Sequence, residues 1–182
     1  FGQADFTTAT PGTTSTTLSN PVNADYDVSE DAVYIVDSGN NRILVYDVQG
    51  GISDGKAETY VMDQSNMTSA SDAVTQSGLS GPMAIEIADS LDSVVTTFDP
   101  VLTVRRTLWV ADASANRLLL YRFTTLANLA SPNAYQVIGQ QDTVVTPMGT
   151  TPIFTGSSAF SGDDGPNDLS FSTNKKMVVD TN

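Results

Sequence analysis

One short pattern recurs in this chain: an apolar run, an Asp, a turn-forming stretch and a second apolar run opened by Arg. The first copy is VYIVDSGNNRILVYD at 33–47, the second is LWVADASANRLLLYR at 108–122, and a third begins as MVVDTN at 177–182. Two β-prone runs around a turn with Gly or Asn predict a β-hairpin, because these residues accept positive φ at little cost. Repetition constrains a chain more than any other sequence signal, since it describes the whole architecture.

Two further markers accompany the hairpins in a fixed order. A Pro with apolar residues three and five places later precedes each hairpin, at Pro21, Pro82 and Pro166. A Gly-Gln pair or a close variant lies at 2–3, 63–64 (here Asp-Gln) and 139–140. We therefore predict a repeated antiparallel sheet, in which loops of different length absorb the unequal spacing.

An Asp, an Asn and an Arg recur within the pattern. They are Asp37, Asn41 and Arg42 in the first copy, Asp112, Asn116 and Arg117 in the second, and Asp180 in the third. An Asp at a strand end can accept turn N–H groups, and an Arg nearby can pair with it. A set that is present in each repeat more often holds the fold than reacts, so we predict a structural role for these residues.

The spacing Asp-x-x-x-Asn-Arg after an apolar run, preceded by the Pro marker and followed by Gly-Gln, resembles the NHL repeat. FGQADF at 1–6 resembles the signature that ends long bacterial-type units of that family. The chain departs from the pattern at Asp63, in place of Gly, and at Ala115, in place of Asn. The resemblance implies an all-β β-propeller of four-stranded antiparallel blades, with about two full blades and part of a third in this chain.

We predict one partial propeller over 1–182, as a segment of a longer chain, because the third hairpin is incomplete at Asn182. Its predicted parts are the end of a preceding blade at 1–6, blades at 18–64 and 79–141, and a partial blade at 159–182. The insertion 89–106 lies before the second hairpin and contains further Val pairs. It predicts an extra small hairpin.

Composition excludes several classes of function. Eight basic and 21 acidic residues give a net charge of −13, which argues against nucleic acid, whose phosphates require Lys and Arg. The acids are mostly Asp, which favours turns over helices. Without Cys or His, the chain cannot supply a Ser-His-Asp triad, a Cys-His pair or a His-ligated zinc site. Its apolar runs are far shorter than the roughly 20 residues that span a bilayer.

Two stretches are candidates for glycosylation. Residues 7–17 contain eight Ser or Thr among 11 residues, and are either a solvated loop between blades or an O-glycosylated segment. Asn66-Met67-Thr68 is an N-x-S/T sequon. The candidate positions are Asn66, Thr13, Thr14, Thr16 and Thr17.

We predict a non-catalytic extracellular or cell-surface module, acting as a scaffold, an adhesion module, or a filament or surface-layer subunit. Its partners would be other copies, other extracellular proteins or glycans, with no nucleic acid and no membrane span in this segment. No cofactor is predicted; the acidic turn 163–168 has oxygens that suit Ca²⁺ but lacks the EF-hand spacing, which favours a solvated turn. The alternatives are a propeller enzyme of the lactonase or esterase type, and a soluble propeller that binds a peptide or glycan.

Overall fold

The structure, a computed structural model, describes residues 1–96, 99–130, 132–139, 144–146 and 149–151. For 89–96, 99–105, 144–146 and 149–151 it describes the backbone alone. The regular structure of the described chain consists mainly of two four-stranded antiparallel sheets. Helix within these residues is confined to two short 3-10 segments, Ser38–Asn40 and Leu126–Ala130. The prediction of an all-β fold is confirmed.

Four consecutive strands form the first sheet in chain order. They are β1 (Pro21–Asp27), β2 (Ala32–Asp37), β3 (Arg42–Asp47) and β4 (Tyr60–Met62). β2 and β3 are rich in β-branched and aromatic residues, which pack well on a half-buried pleated surface. β2 and β3 pair without a break from Asp37 opposite Arg42 to Ala32 opposite Asp47. The first predicted hairpin is therefore confirmed.

The second sheet repeats this order with longer first strands. They are β5 (Pro82–Thr96), β6 (Asp99–Asp112), β7 (Arg117–Phe123) and β8 (Gln136–Ile138). Asp112 lies opposite Arg117, as Asp37 lies opposite Arg42, which confirms the second predicted hairpin. A separate two-stranded pair, β9 (Val144–Thr146) and β10 (Gly149–Thr151), follows.

The insertion at 89–106 continues β5 and β6 as one ladder. Pairing runs from Ala84 opposite Ala111 to Thr96 opposite Asp99. The predicted hairpin is therefore present, but as a prolongation of the two strands and not as a separate unit.

Both sheets also begin alike, since the register shifts just after Pro21 and just after Pro82. Pro has no N–H to give to the ladder, so an irregularity at this position is expected.

The main hydrophobic core lies between the two sheets, which pack face to face. Tyr34 and Val36 on β2 share one face because they are two residues apart, and Tyr34 meets Phe123 of β7 with ring centroids 6.3 Å apart. The buried members are Ala32, Tyr34, Val36, Ile43, Val45, Met62, Leu79, Ile85, Leu108, Val110, Leu119, Tyr121, Phe123, Leu126, Leu129, Ala134 and Val137. Each large member contributes about 1.5–3 kcal/mol, so this face-to-face contact stabilises the pair of sheets.

Each sheet carries a second apolar cluster on its other face. On the first sheet, Leu18 covers Leu44 and Val61, and the Phe1 ring lies 4.4 Å from the Tyr46 ring between centroids. On the second sheet the cluster consists of Ala84, Ala111, Leu118 and Leu120, with Trp109 and Ile138 packed against it. Both sheets are thus apolar on both faces, as in architectures of more than two stacked layers.

The two sheets correspond to the two predicted complete units in strand number and order. They do not close a ring within the described residues, so the propeller geometry stays a prediction. The predicted partial unit at 159–182 lies outside the described residues.

Candidate functional site

The first Asp–Arg pair is completely buried. Asp37 ends β2 and Arg42 begins β3, so the hairpin register places the two side chains opposite each other. Arg42 Nε donates to Asp37 Oδ2 at 2.7 Å, and neither side chain has exposed area. Asp37 Oδ1 accepts the Ser19 N–H at 2.6 Å, and Oδ2 accepts Asn40 Nδ2 at 2.8 Å. Burial of an ion pair is tolerated only with such additional hydrogen bonds.

The second pair has the same geometry. Arg117 Nε donates to Asp112 Oδ2 at 2.7 Å, and Asp112 Oδ1 accepts the Ser80 N–H at 2.6 Å. Burial raises the pKa of Asp112 to about 6, against the opposing attraction of the Arg117 guanidinium. Equivalent atoms make equivalent bonds in both sheets, which is the arrangement that a structural role requires.

The two recurring Asn residues close the hairpin turns. Asn41 and Asn116 have positive φ values of 50° and 52°, a left-handed conformation that Asn tolerates better than most residues. Asn41 also bridges to the second sheet, because its Oδ1 accepts the Gly81 N–H at 2.8 Å. In the first copy the preceding Asn40 donates to Gly12 O at 2.8 Å. Ala115 replaces that residue in the second copy and is fully buried.

Arg42 also holds two loops, which we call the threonine loop (7–17) and the sequon loop (63–77). Its Nη2 donates to Thr17 O at 3.2 Å and to Thr14 O at 3.4 Å. Its Nη1 donates to Thr13 O at 3.4 Å and to Met67 O at 2.5 Å. All four acceptors are main-chain carbonyls, so the loops are held to the sheet by their backbone.

The same contact recurs in part in the second sheet. Arg117 Nη2 donates to Gly78 O at 2.6 Å. Gly78 lies two residues before Ser80, just as Thr17 lies two residues before Ser19. The buried guanidinium is therefore an anchor for the chain entering each sheet.

The Gly-Gln marker has a conformational basis. Its first residue has positive φ in all three copies: 79° at Gly2, 64° at Asp63 and 95° at Gly139. This region favours glycine, which has no Cβ to collide with the backbone. The following Gln closes a loop in two copies, since Gln3 Nε2 donates to Thr10 O at 3.0 Å and Gln64 Nε2 to Ser71 O at 2.8 Å, both seven residues on. Gln140 lies outside the described residues.

Asp63 is a residue that sequence reasoning missed, because the sequence shows it only as a departure from the Gly of the marker. Its side chain is buried, and Tyr121 Oη of the second sheet lies 2.9 Å from Oδ1 and 3.0 Å from Oδ2. Burial raises the pKa of Asp63 to about 7, while the Tyr121 hydrogen bond opposes that change. Asp63 also lines a cavity of about 460 Å³. An acid replacing Gly at a position of positive φ is the signal that could have found it.

The position equivalent to Tyr121 in the first sheet is Tyr46, 75 residues earlier. The marker residue that precedes the first sheet, as Asp63 precedes the second, is Gly2, which has no side chain to accept a hydrogen bond. The Tyr46 hydroxyl is buried without a hydrogen-bond partner among the described residues, as is the Glu58 carboxyl. Burial raises the pKa of Tyr46 and of Glu58.

A cluster of charges joins the sheets at the turn between β1 and β2. Arg106 of β6 lies 2.9 Å from Asp27 Oδ2 through Nε and 2.8 Å from Glu30 Oε1 through Nη1. At the same junction, side chains of β1 accept hydrogen bonds from backbone N–H groups of β5. Asp25 Oδ2, for example, accepts one from the Ile87 N–H at 2.7 Å. Polar contacts thus set how one sheet lies on the other.

The candidate glycosylation positions lie on two surface loops. Asn66 is exposed, and its Oδ1 accepts hydrogen bonds from Thr68 N at 3.0 Å and Thr68 Oγ1 at 2.9 Å. Among the threonines, Thr14 is exposed, whereas Thr13, Thr16 and Thr17 are partly buried. Thr14 Oγ1 and Thr17 Oγ1 lie 2.7 Å apart in one hydrogen bond. Asn66 and Thr14 are therefore the most accessible of the five.

The described residues contain no group of three or more acidic side chains arranged to hold a metal ion. Asp180 and the acidic turn at 163–168 lie outside those residues. The 3-10 segments, of three and five residues, are much too short to cross a bilayer, and no other helix occurs in the described ranges.

Comparison with protein-family models, with curated proteins and with solved structures finds no match to this chain. The observed class is therefore an all-β protein built from two repeated, stacked antiparallel sheets.

Proposed function

We propose that this chain is a non-catalytic extracellular module for assembly or interaction, built on blades of an NHL-like propeller. One observation carries the proposal. The Asp–Arg pair, which both sheets repeat, is completely buried and bonded to the fold itself. Residues in such a position hold a scaffold together and do not meet a substrate.

Repeated stacking supports a role in assembly. Each sheet carries an apolar cluster on both faces, and the two sheets pack through one face each. A further sheet of the same kind would bury an outer face in the same manner, as neighbouring units do in repeat proteins. Repeat surfaces that meet head to tail without closing generate filaments.

The surface supports an extracellular location. The loops that face outward are rich in Ser, Thr and Asn, and the net charge of −13 keeps such a surface hydrated. Other copies of the protein, other extracellular proteins and glycans are the partners that we propose. Divalent cations such as Ca²⁺ would bridge acidic surfaces of this kind.

The assembly proposal is tested on the whole native protein by light scattering after size-exclusion chromatography and by small-angle X-ray scattering, with Ca²⁺ and after chelation. We expect a defined oligomer or an elongated particle. A compact monomer that hydrolyses a lactone or an ester would overturn the proposal and favour the propeller enzyme. A compact monomer that captures a peptide or glycan without turnover would favour the soluble binding protein.

Glycosylation is tested by the intact mass of the protein from its natural source. We expect a mass above that of the polypeptide, with an N-linked increment that disappears in Asn66→Gln. The neighbouring substitution Ser65→Ala keeps the sequon and serves as the control. A mass equal to the bare chain would contradict the proposed modification.

A further inference from the structure

A cavity of about 460 Å³ lies between the sequon loop and the residues just before β8. Its volume is within the range of roughly 300–1,000 Å³ that is typical of small-molecule sites. The polar residues that line it are Asp63, Gln64, Ser65, Ser71, Ser77 and Asn133. Pro132 and Ala73 form an apolar part of the cavity wall.

The Asp63 carboxyl retains capacity to accept hydrogen bonds. Tyr121 is its hydrogen-bond donor among the described residues, and Oη lies within 3.0 Å of both carboxyl oxygens. One phenolic hydrogen is thus shared by two oxygens, whereas a carboxylate offers about four lone-pair sites. A buried carboxylate with one shared donor is under-satisfied, so a donor that enters the cavity would be strongly favoured.

The repeat indicates that Asp63 is not required for the fold. The equivalent residues Gly2 and Gly139 share its positive φ without any side chain. A residue with a Cβ is strained in this conformation, and the carboxyl adds the desolvation of a buried acid. Side chains that are retained despite backbone strain and the cost of desolvation are typical of functional sites.

The charge around the cavity selects the kind of donor. Asp63 is the only ionisable residue among those that line it. The guanidinium that acts on Asp63, that of Arg117, donates to Asp112 and to Gly78 O, and the whole chain has a net charge of −13. An anion would be repelled, whereas a cation would be attracted and would find neutral oxygen acceptors around it.

We propose that this cavity binds a small hydroxylated molecule through its primary ammonium group, with Asp63 as the counter-ion. The ammonium donates up to three hydrogen bonds, to Asp63 and to serine hydroxyl oxygens, while Asn133 and the remaining serines accept or donate to the hydroxyls of the ligand. The proposal is independent of the assembly proposed above, because the cavity opens between loops and not on the stacked faces.

Binding would depend on pH through Asp63. The charged or titratable groups that act on it are Tyr121 and Arg117 of β7 and Asp112 of β6, while Asp72 in the sequon loop acts on Asp112. Burial raises the pKa of Tyr121 well above its ordinary value, so the phenol stays protonated at neutral pH, whereas Asp112, with a pKa of about 6, is largely ionised before Asp63. A cation binds the ionised carboxylate, so affinity rises as pH rises through about 7 and binding releases a proton.

The test uses 2-amino-1,3-propanediol as the probe and glycerol as its neutral counterpart, which replaces the ammonium by a hydroxyl. Binding to the whole protein is followed by calorimetry and by the amide signals of Gln64, Ser71 and Asn133. A probe this small binds in the region of about 1 mM, so the titration extends to about 50 mM. We expect saturable binding of the amine, and an affinity up to about tenfold higher at pH 8 than at pH 6, the ratio of the ionised fractions of a group with a pKa of about 7.

Two variants complete the design. Asp63→Asn keeps the shape of the side chain and should lower the affinity for the amine at least tenfold. Asp54→Asn removes the same charge from an exposed turn between β3 and β4, outside the residues that line the cavity, and should leave binding unchanged. Equal binding of glycerol and the amine, equal effects of the two variants, or no saturable binding of the amine to the wild-type protein would each overturn the proposal.

Discussion

Asp63→Asn should make the protein more stable at neutral and alkaline pH. Burial raises the Asp63 pKa from 3.8 to about 7, so the folded state disfavours the ionised carboxyl. Below pH 3.8 the acid is neutral in both states and contributes no penalty. Between 3.8 and about 7 the folded state binds more protons than the unfolded state, so stability falls as pH rises; above 7 the penalty is constant.

The size of the effect follows from the shift in pKa. A difference of about three pKa units corresponds to about 4 kcal/mol, which is an upper bound for the penalty at pH 8. Asn keeps the Tyr121 hydroxyl bonded through its carbonyl oxygen and tolerates positive φ at least as well as Asp. The free energy of unfolding of the variant should therefore equal that of the wild type near pH 4 and exceed it by up to about 4 kcal/mol at pH 8.

Urea unfolding between pH 4 and pH 8 measures this difference. Trp109, the single tryptophan, lies half-buried in β6 and reports on the second sheet by its fluorescence. Comparing the two proteins at each pH removes the contribution of Asp112, which titrates in both. Stability profiles that run parallel, or a wild type that is the more stable protein at pH 8, would refute the reasoning.

Three further predictions use the same unfolding assay at pH 7. Arg117→Ala should lower the free energy of unfolding by about 3 kcal/mol, because the buried carboxylate of Asp112 loses its cation. Its control, Arg122→Ala on the exposed face of the same strand, should lower it by less than about 1 kcal/mol. Tyr121→Phe should lower it by about 1–2 kcal/mol, and Tyr46→Phe, whose hydroxyl has no partner among the described residues, by less than about 0.5 kcal/mol. Arg106→Gln should lower it by about 2 kcal/mol, because the ion pairs that Arg106 of the second sheet makes with the first sheet are lost. A change near zero would show that apolar contacts alone hold the junction.

The repeat in the sequence was sufficient to predict the two hairpins. A turn closed by Asn41 or Asn116 and flanked by β-branched runs leaves few alternatives to a hairpin, and the pairing of Asp37 with Arg42 follows from that register. The bulge after each Pro has the same local origin. These features depend on neighbouring residues, which is why a single sequence contains them.

The contacts across sheets could not be predicted in this way. Asp63 and Tyr121 are 58 residues apart, and only the stacking of the sheets brings the carboxyl to the hydroxyl. The sequence predicts a separate hairpin for the insertion at 89–106, because nothing in it marks the continuity of the ladder. The loop anchoring by Arg42 leaves no sequence signal at all, since its acceptors are peptide carbonyls.

The way in which Arg42 holds the threonine loop has a consequence for how freely that loop can change. Every residue type presents the same peptide oxygen, so the bonds that Arg42 donates to this loop do not themselves depend on the side chains of Thr13, Thr14 and Thr17. A substitution at Thr13 therefore leaves the anchor intact, whereas Thr14 and Thr17 also bond each other through their side chains. Apart from this pair, the loop is suited to randomisation, and a library of variants built on this one buried arginine would display new binding surfaces on an unchanged framework.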